Sequence, residues 1–359
     1  MKSSRSIPWR FELACFFVMA VFAIAQNAKA QQTWQLKVGA ESPDMGKQAL
    51  AFLPDEIWIH AGDSITWTWQ SDEIHTLTFL TVGQPLPAFT AGCPGFATSP
   101  AVFDGSTCMT TPPMVKPQTF TVMFPTAGSF KFECLVHLVM TGTVHVLSLS
   151  EKLPHDQAFY DKQATAERQT ILSDIGEKKM SMSHDGDKDG DDGFTVTVIP
   201  GKKHVTAGIG ETSSTPGGIQ TGSLVRFVND TVTIHAGDTV EWGNFDPLEP
   251  HTITFGPDPG DLFDPSSNVS IDSDGALHVT LNSPSDTAHS GFIEQPLEDE
   301  PGIPQNPIVN AQNPLTNITN VALDNPTRFR VTFTSAGTYN YHCSLHDNLG
   351  MVGKVIVVP

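Results

Sequence analysis

A strand–turn–strand pattern written twice is the feature that most limits what this chain can fold into. Ile57-Trp58-Ile59-His60-Ala61-Gly62-Asp63-Ser64-Ile65-Thr66-Trp67 returns as Val232-Thr233-Ile234-His235-Ala236-Gly237-Asp238-Thr239-Val240-Glu241-Trp242. Apolar residues fall at every second position on both sides of an Ala-Gly-Asp turn, the period of half-buried strands. Residues 74–79 match 250–255, residues 120–124 match 329–333, and Ala127-Gly128 matches Ala336-Gly337. Each half closes on a Val-rich strand. A chain of 359 residues has room for two such domains. Short strands divided by Gly, Pro and Asp turns predict an all-β chain of β-sandwiches. His60 and His235 lie in the matching turns and read as structural.

After the last match each half carries the same set of chemically distinctive side chains. In the second half, Cys343, His346 and Met351 follow the alternating Tyr339-Asn340-Tyr341-His342. In the first half, Cys134, His137 and Met140 follow Phe130-Lys131-Phe132-Glu133. Alternation ends a strand on the thiol and places His and Met on the turn beyond it. Thiolate, imidazole and thioether together suit copper, and a Cys, two His and a weak axial Met make a blue-copper site. The second His of each set is expected from the earlier matching strand: His75 in the first half and His251 in the second. Phe130, Phe132, Tyr339 and Tyr341 read as core aromatics beneath the sites.

The ends and seams of the halves read differently. Lys2, Arg5 and Arg10, an apolar run to Ala25 and Ala28-Lys29-Ala30 match a cleaved secretory signal over residues 1–30. The mature chain is then expected to start near Gln31 and to be periplasmic or secreted. With Cys15 removed and Cys134 and Cys343 assigned to metal, Cys93 and Cys108 remain, and an oxidising compartment allows them to pair. The first domain is expected over residues 31–150 and the second over 193–359, with residues 151–192 as a helix and then an acidic linker. Asp185, Asp187 and Asp189 resemble the opening of a calcium loop, but position twelve is Val196 rather than the closing Glu, which favours a solvated linker. Long insertions at 83–117 and 257–327 separate the first His of each half from its Cys; they are expected near the metal end.

Each half resembles a cupredoxin, the plastocyanin/azurin-like blue-copper domain, over about residues 33–148 and 194–359 less the insertions. The resemblance implies two Greek-key sandwiches with copper held by His75, Cys134, His137 and Met140, and by His251, Cys343, His346 and Met351. Met follows His by three residues in one site and by five in the other. Thr76 and Thr252 stand after the first His, where many cupredoxins carry a polar amide. Asn244 is the candidate for that outer role in the second half, with Gln70 in the matching region of the first.

The function these features imply is an exported two-copper electron carrier. A formal net charge of −19 disfavours nucleic acid and anionic membranes and suits a basic redox partner such as a cytochrome. After signal cleavage no stretch is long enough to insert stably in a membrane. Two rivals are a two-domain copper oxidase or nitrite reductase and a copper-delivery or copper-resistance protein. None of the 13 His forms a His-x-His pair of the kind that holds catalytic copper in multicopper oxidases. His342, directly before Cys343, is the one residue favouring the enzyme; alternation turns it away from the thiol. His145, His204, His278 and His289 have no assigned role.

Overall fold

In the structure, a computed structural model, each Ala-Gly-Asp turn carries the chain from one sheet to another. Strand Glu56–His60 precedes the first turn and Ser64–Trp69 follows it. The Asp63 Oδ2 carboxylate accepts the His60 backbone N–H at 3.0 Å. In the second half Thr231–His235 leads to Thr239–Phe245, and Asp238 Oδ2 accepts the His235 N–H at 2.8 Å. His60 Nε2 lies 2.9 Å from the Glu151 carbonyl, and among the described residues the imidazoles of His60 and His235 join no His–Cys cluster. The described residues are 31–359 without 86, 88–92, 94, 138–139, 183–202, 247 and 294–327, with the backbone alone for 176–182. The signal segment, the Asp185–Asp187–Asp189 calcium candidate, the acidic linker and the far part of the second insertion lie outside them.

Strand order shows the repeat in three dimensions. One five-stranded sheet runs Glu56–His60, Thr141–Leu147, Gly128–Glu133, Thr78–Phe79, Met109–Thr110. The other runs Thr231–His235, Val352–Val358, Gly337–His342, Thr254–Phe255, Ala288–His289, in the same relative order. The opposite layer of both halves is one continuous sheet. In it Lys47–Leu53 pairs antiparallel with Ile219–Val228, in the register Leu50 to Thr221 and Lys47 to Leu224. The halves therefore share a backbone ladder, and residues 33–359 form one compact unit.

Aromatic side chains fill the space between layers, each burying a large apolar area. Trp67 packs edge-on against Phe132 at 5.7 Å in the first core, and Trp242 packs edge-on against Tyr341 at 5.1 Å in the second. Phe132, Tyr339 and Tyr341 are buried, while Phe130 packs partly exposed on the edge of its core. The helix Gln157–Met182 starts at Asp156, whose Oδ1 accepts the Phe159 N–H at 3.0 Å in the manner of an N-cap. Its buried face is Tyr160, Ala164, Ile171 and Ile175. Ala164 and Ile171 join Ala49, Ala51 and Leu53 of the first half, and Ile175 joins Ile209 and Leu224 of the second. The helix thus lies across the seam. No helix among the described residues is long and apolar enough to cross a membrane.

The insertions are woven into these sheets. The first contributes Ala101–Val102 and Met109–Thr110, and holds the Cys93–Cys108 disulfide with Cα atoms 5.4 Å apart. The second contributes Ser270–Ile271, Leu277–Leu281 and Ala288–His289. Each sends one residue back to the first His of its half: Met114 bridges His75, and Ile293 bridges His251.

Candidate metal centres

The topology brings the six predicted His and Cys residues into two buried groups of three. His75, Cys134 and His137 form one, and His251, Cys343 and His346 the other, with the ligand atoms in each group within 4.8 Å of one another. In the first group His137 Nδ1 is 2.9 Å from His75 Nδ1 and 3.9 Å from Cys134 Sγ. In the second, His346 Nδ1 is 3.2 Å from His251 Nδ1 and 3.5 Å from Cys343 Sγ, and His251 Nδ1 is 3.9 Å from that sulfur. Nδ1 is the inward nitrogen in all four rings. Met140 and Met351 are fully buried in the same cores as their cysteines.

Backbone hydrogen bonds fix each loop. The Cys134 N–H donates to the Met140 carbonyl at 3.0 Å and the Met140 N–H to the His137 carbonyl at 3.1 Å. The Cys343 N–H donates to the Met351 carbonyl at 3.0 Å and the Met351 N–H to the His346 carbonyl at 3.1 Å. Amide N–H groups also point at the sulfurs: Thr76 to Cys134 at 3.4 Å, and Thr252 to Cys343 at 3.3 Å. Such donors favour thiolate over thiol. The two threonines have a further use. Thr76 Oγ1 accepts the Leu135 N–H at 2.7 Å, and Thr252 Oγ1 accepts the Ser344 N–H at 2.8 Å. Each ties the strand of the first His to the loop of the Cys.

Burial pushes the Cys134 thiol up, but hydrogen bonding and charge from His137 and His75 outweigh it and hold the group well below the usual thiol range. Burial likewise raises Cys343, and His346 and His251 bring it well below that range. A low thiol pKa, soft and borderline donors and full burial fit copper or another thiophilic ion.

The outer supports differ from expectation in one half. Asn244 Nδ2 donates to the Glu249 carbonyl at 2.8 Å and the Ile293 carbonyl at 2.9 Å, while its Oδ1 accepts the Asp246 N–H at 2.7 Å. The parallel registers Val38 to Trp69 and Ala207 to Asn244 make Trp69, rather than Gln70, the counterpart of Asn244. Trp69 Nε1 donates to the His75 carbonyl at 3.1 Å, and Ser71 Oγ lies 3.3 Å from His75 Nε2. Gln70 is exposed, and its amide reaches only its neighbour Trp69. Indole and serine in one half thus do the work of one amide in the other.

Sequence reading missed Glu73 and Glu249. Both are buried, and both stand two residues before the first His of their half. His137 Nε2 lies 2.9 Å from Glu249 Oε1 and 3.8 Å from Glu73 Oε1. His346 Nε2 lies 3.5 Å from Glu249 Oε2 and 3.6 Å from Glu73 Oε2. These are ion-pair separations without hydrogen-bond alignment at Glu249 Oε1 or His346 Nε2. Burial raises Glu249, but His137 and then His346 hold it well below the carboxylate range. Burial lowers His137, but Glu249 and Cys134 hold it well above the histidine range.

His145, His278 and His289 have ordinary polar partners. His145 Nε2 pairs with Glu56 at 2.9 Å, His278 Nδ1 with Asp272 at 3.1 Å, and His289 Nδ1 with Thr254 Oγ1 at 2.8 Å. His204 is mostly buried beside Phe245. His342 Nε2 faces Asp258 Oδ1 at 2.8 Å near the surface, away from the buried Cys343.

Comparison with known proteins agrees with this chemistry. Residues 40–147 and 309–358 match the family of copper binding proteins described as plastocyanin/azurin. The matched stretches contain His75, Cys134, His137 and Met140, and then Cys343, His346 and Met351. Among solved structures, oxidised plastocyanin from Dryopteris crassirhizoma is 19% identical, covering 43% of this chain and 99% of its own, with a TM-score of 0.21. A reduced amicyanin variant is 17% identical, covering 45% and 87%, at 0.22. A purple cupredoxin from Nitrosopumilus maritimus is 19% identical, covering 32% and 99%, also at 0.22. Each half of the chain therefore holds a stretch similar to the plastocyanin/azurin copper-binding family and a buried His–Cys–His group.

Proposed function

We propose that this is an exported blue-copper protein with two mononuclear sites, and that it carries electrons between redox partners. The observation that carries the reading is the duplicated group: two imidazole Nδ1 atoms and one low-pKa thiol, buried and repeated with the same backbone bonds. His75, Cys134, His137 and Met140 would hold one copper, and His251, Cys343, His346 and Met351 the other. Copper bound this way supplies a reversible one-electron couple. The chain's part is to keep the ligands still. Each Cys loop is closed by two backbone bonds, and each first His is clamped between the Cys loop and an insertion. Ligands held from several strands resist rearrangement, which keeps the reorganisation accompanying electron transfer small.

The acidic surface favours a basic partner, such as a cytochrome. Export follows from residues 1–30, and intact mass of the mature protein starting at Gln31 checks it. The partnered state of His145, His278 and His289 favours the carrier over an oxidase or nitrite reductase. Copper analysis with turnover assays separates the readings. A carrier holds two coppers per chain, shows the intense thiolate-to-copper absorption and consumes neither oxygen nor nitrite. A third copper lost on His342→Ala, together with turnover, would establish the enzyme instead.

A further inference from the structure

The outer edges of His137 and His346 face each other across the seam between the halves, with Glu73 and Glu249 between them. The two imidazoles are 2% and 1% exposed, and both carboxylates are buried. Each glutamate lies within 4.0 Å of both imidazoles, so neither carboxylate belongs to one site alone. The closest contact is crosswise: Glu249 of the second half approaches His137 of the first at 2.9 Å, nearer than its own His346 at 3.5 Å. Glu73 of the first half is likewise nearer His346 of the second, at 3.6 Å, than His137 at 3.8 Å. The loops bearing both glutamates are pinned, through Asn244 in one half and the Trp69 contact with His75 in the other.

Two carboxylates buried together are costly unless positive charge compensates them. A ligand imidazole bonded to metal through Nδ1 retains Nε2–H as its outward donor, and a carboxylate on that N–H fixes the ring and raises its basicity. A copper(II)–thiolate unit carries a net charge of +1, and a copper(I)–thiolate unit carries none. One carboxylate per site therefore balances the oxidised pair and leaves excess negative charge on reduction. In a dry interior this charge acts strongly at short range.

We infer that Glu73 and Glu249 are shared positioning residues: they orient the loop imidazoles of both sites at once, so each half sets the reduction potential of the other half's copper. This rests on the blue-copper reading above. No proton transfer is invoked; one electron passes from the reductant to each copper.

The test is spectroelectrochemical titration of copper-loaded full-length protein. In a Cys343→Ala background only the first site contributes thiolate-to-copper absorption. There Glu249→Gln, a change in the second half, is expected to raise the first site's potential while its band persists, and Glu249→Asp is expected to bring the potential back toward the starting value. In a Cys134→Ala background Glu73→Gln is expected to raise the potential of the second site. Should one variant fail to fold, the reciprocal arm decides. An unmoved potential in the opposite half, with a normal band, would overturn the inference alone. So would a further metal ion held by the carboxylate pair. Absence of the band from the unsubstituted protein would instead overturn the copper reading and this inference with it.

Discussion

The two Cys loops differ in length by two residues and close in the same way. In the first half Met140 follows His137 by three positions; in the second Met351 follows His346 by five. The extra residues are taken up by a short 3-10 turn, Asp347–Leu349, which ends at Gly350 with a positive φ of 94°. In both loops the Cys N–H donates to the Met carbonyl at 3.0 Å. The bonds at the loop ends set the ligand positions, and the residues between them are free to vary. The outer supports teach the same lesson, since Trp69 with Ser71 and Asn244 reach similar ends by different chemistry.

The sharpest way to break this equivalence is at Gly39 and Gly208. Both have left-handed φ, +66° and +79°, and both lie under the first His of their half. A Cβ on Gly39 would come within 2.7 Å of His75 Nε2, and one on Gly208 would run into His251 Nε2. Gly39→Ala and Gly208→Ala are each expected to expel the copper of their own half while sparing the other, and to cost roughly 3 kcal/mol or more from strain and overpacking. Copper analysis with denaturant unfolding checks this.

The halves also differ in covalent bracing. Cys93 and Cys108 close a loop with a sequence separation of 15. Replacing both by Ala is expected to cost about 3 kcal/mol in the chain-entropy view, and to leave the second half's absorption band intact. Thiol counting on unfolded, metal-free protein should find two free thiols; four would contradict the bridge.

A smaller effect is expected at the outer supports. Asn244→Ala removes the donor to the Glu249 carbonyl, one of two donors to the Ile293 carbonyl and the acceptor of the Asp246 amide, and is expected to cost about 2 kcal/mol. Gln70→Ala, at the exposed neighbour of the true counterpart, is expected to change stability by less than about 0.5 kcal/mol. Equal losses would mean that Gln70 does share the role of Asn244.

The weakest difference is one of pH at the seam. Burial raises Glu167 of the helix to about 7, with Asp55 of the first half adding to it and Gln220 of the second opposing it. A carboxyl raised in the folded state favours folding while protonated, and that contribution is lost as pH climbs from about 4.5 to about 7. Allowing for its partial exposure, Glu167→Gln is expected to be more stable than the parent by on the order of 1 kcal/mol above pH 7, and similar to it near pH 4. Parallel unfolding curves at all pH values would contradict this.

Much of this was legible in the sequence because the repeat states it twice. Alternation located the strands, and the Cys-x-x-His spacing located one edge of each group. The earlier His in each half could be found because residues 74–79 match residues 250–255. What escaped depends on the third dimension. The ladder from Leu50 to Thr221 pairs residues far apart in the chain and leaves no local pattern. Gln70 carries an amide as Asn244 does, whereas strand register places Trp69 at the matching position. Glu73 and Glu249 did carry a signal, since both precede the first His by two places. Acidic residues in an acidic chain read as surface, and only the packing of the halves shows them buried.

The central claim is that the chain holds two equivalent copper sites, one in each half. Copper content and visible absorption of Cys134→Ser and Cys343→Ser test it most directly. The account predicts that each single change removes one of two coppers and that site's share of the thiolate-to-copper band, and that the double change leaves none. If either single change abolished the whole band while the other left it untouched, only one half would be a working site and the equivalence would be wrong.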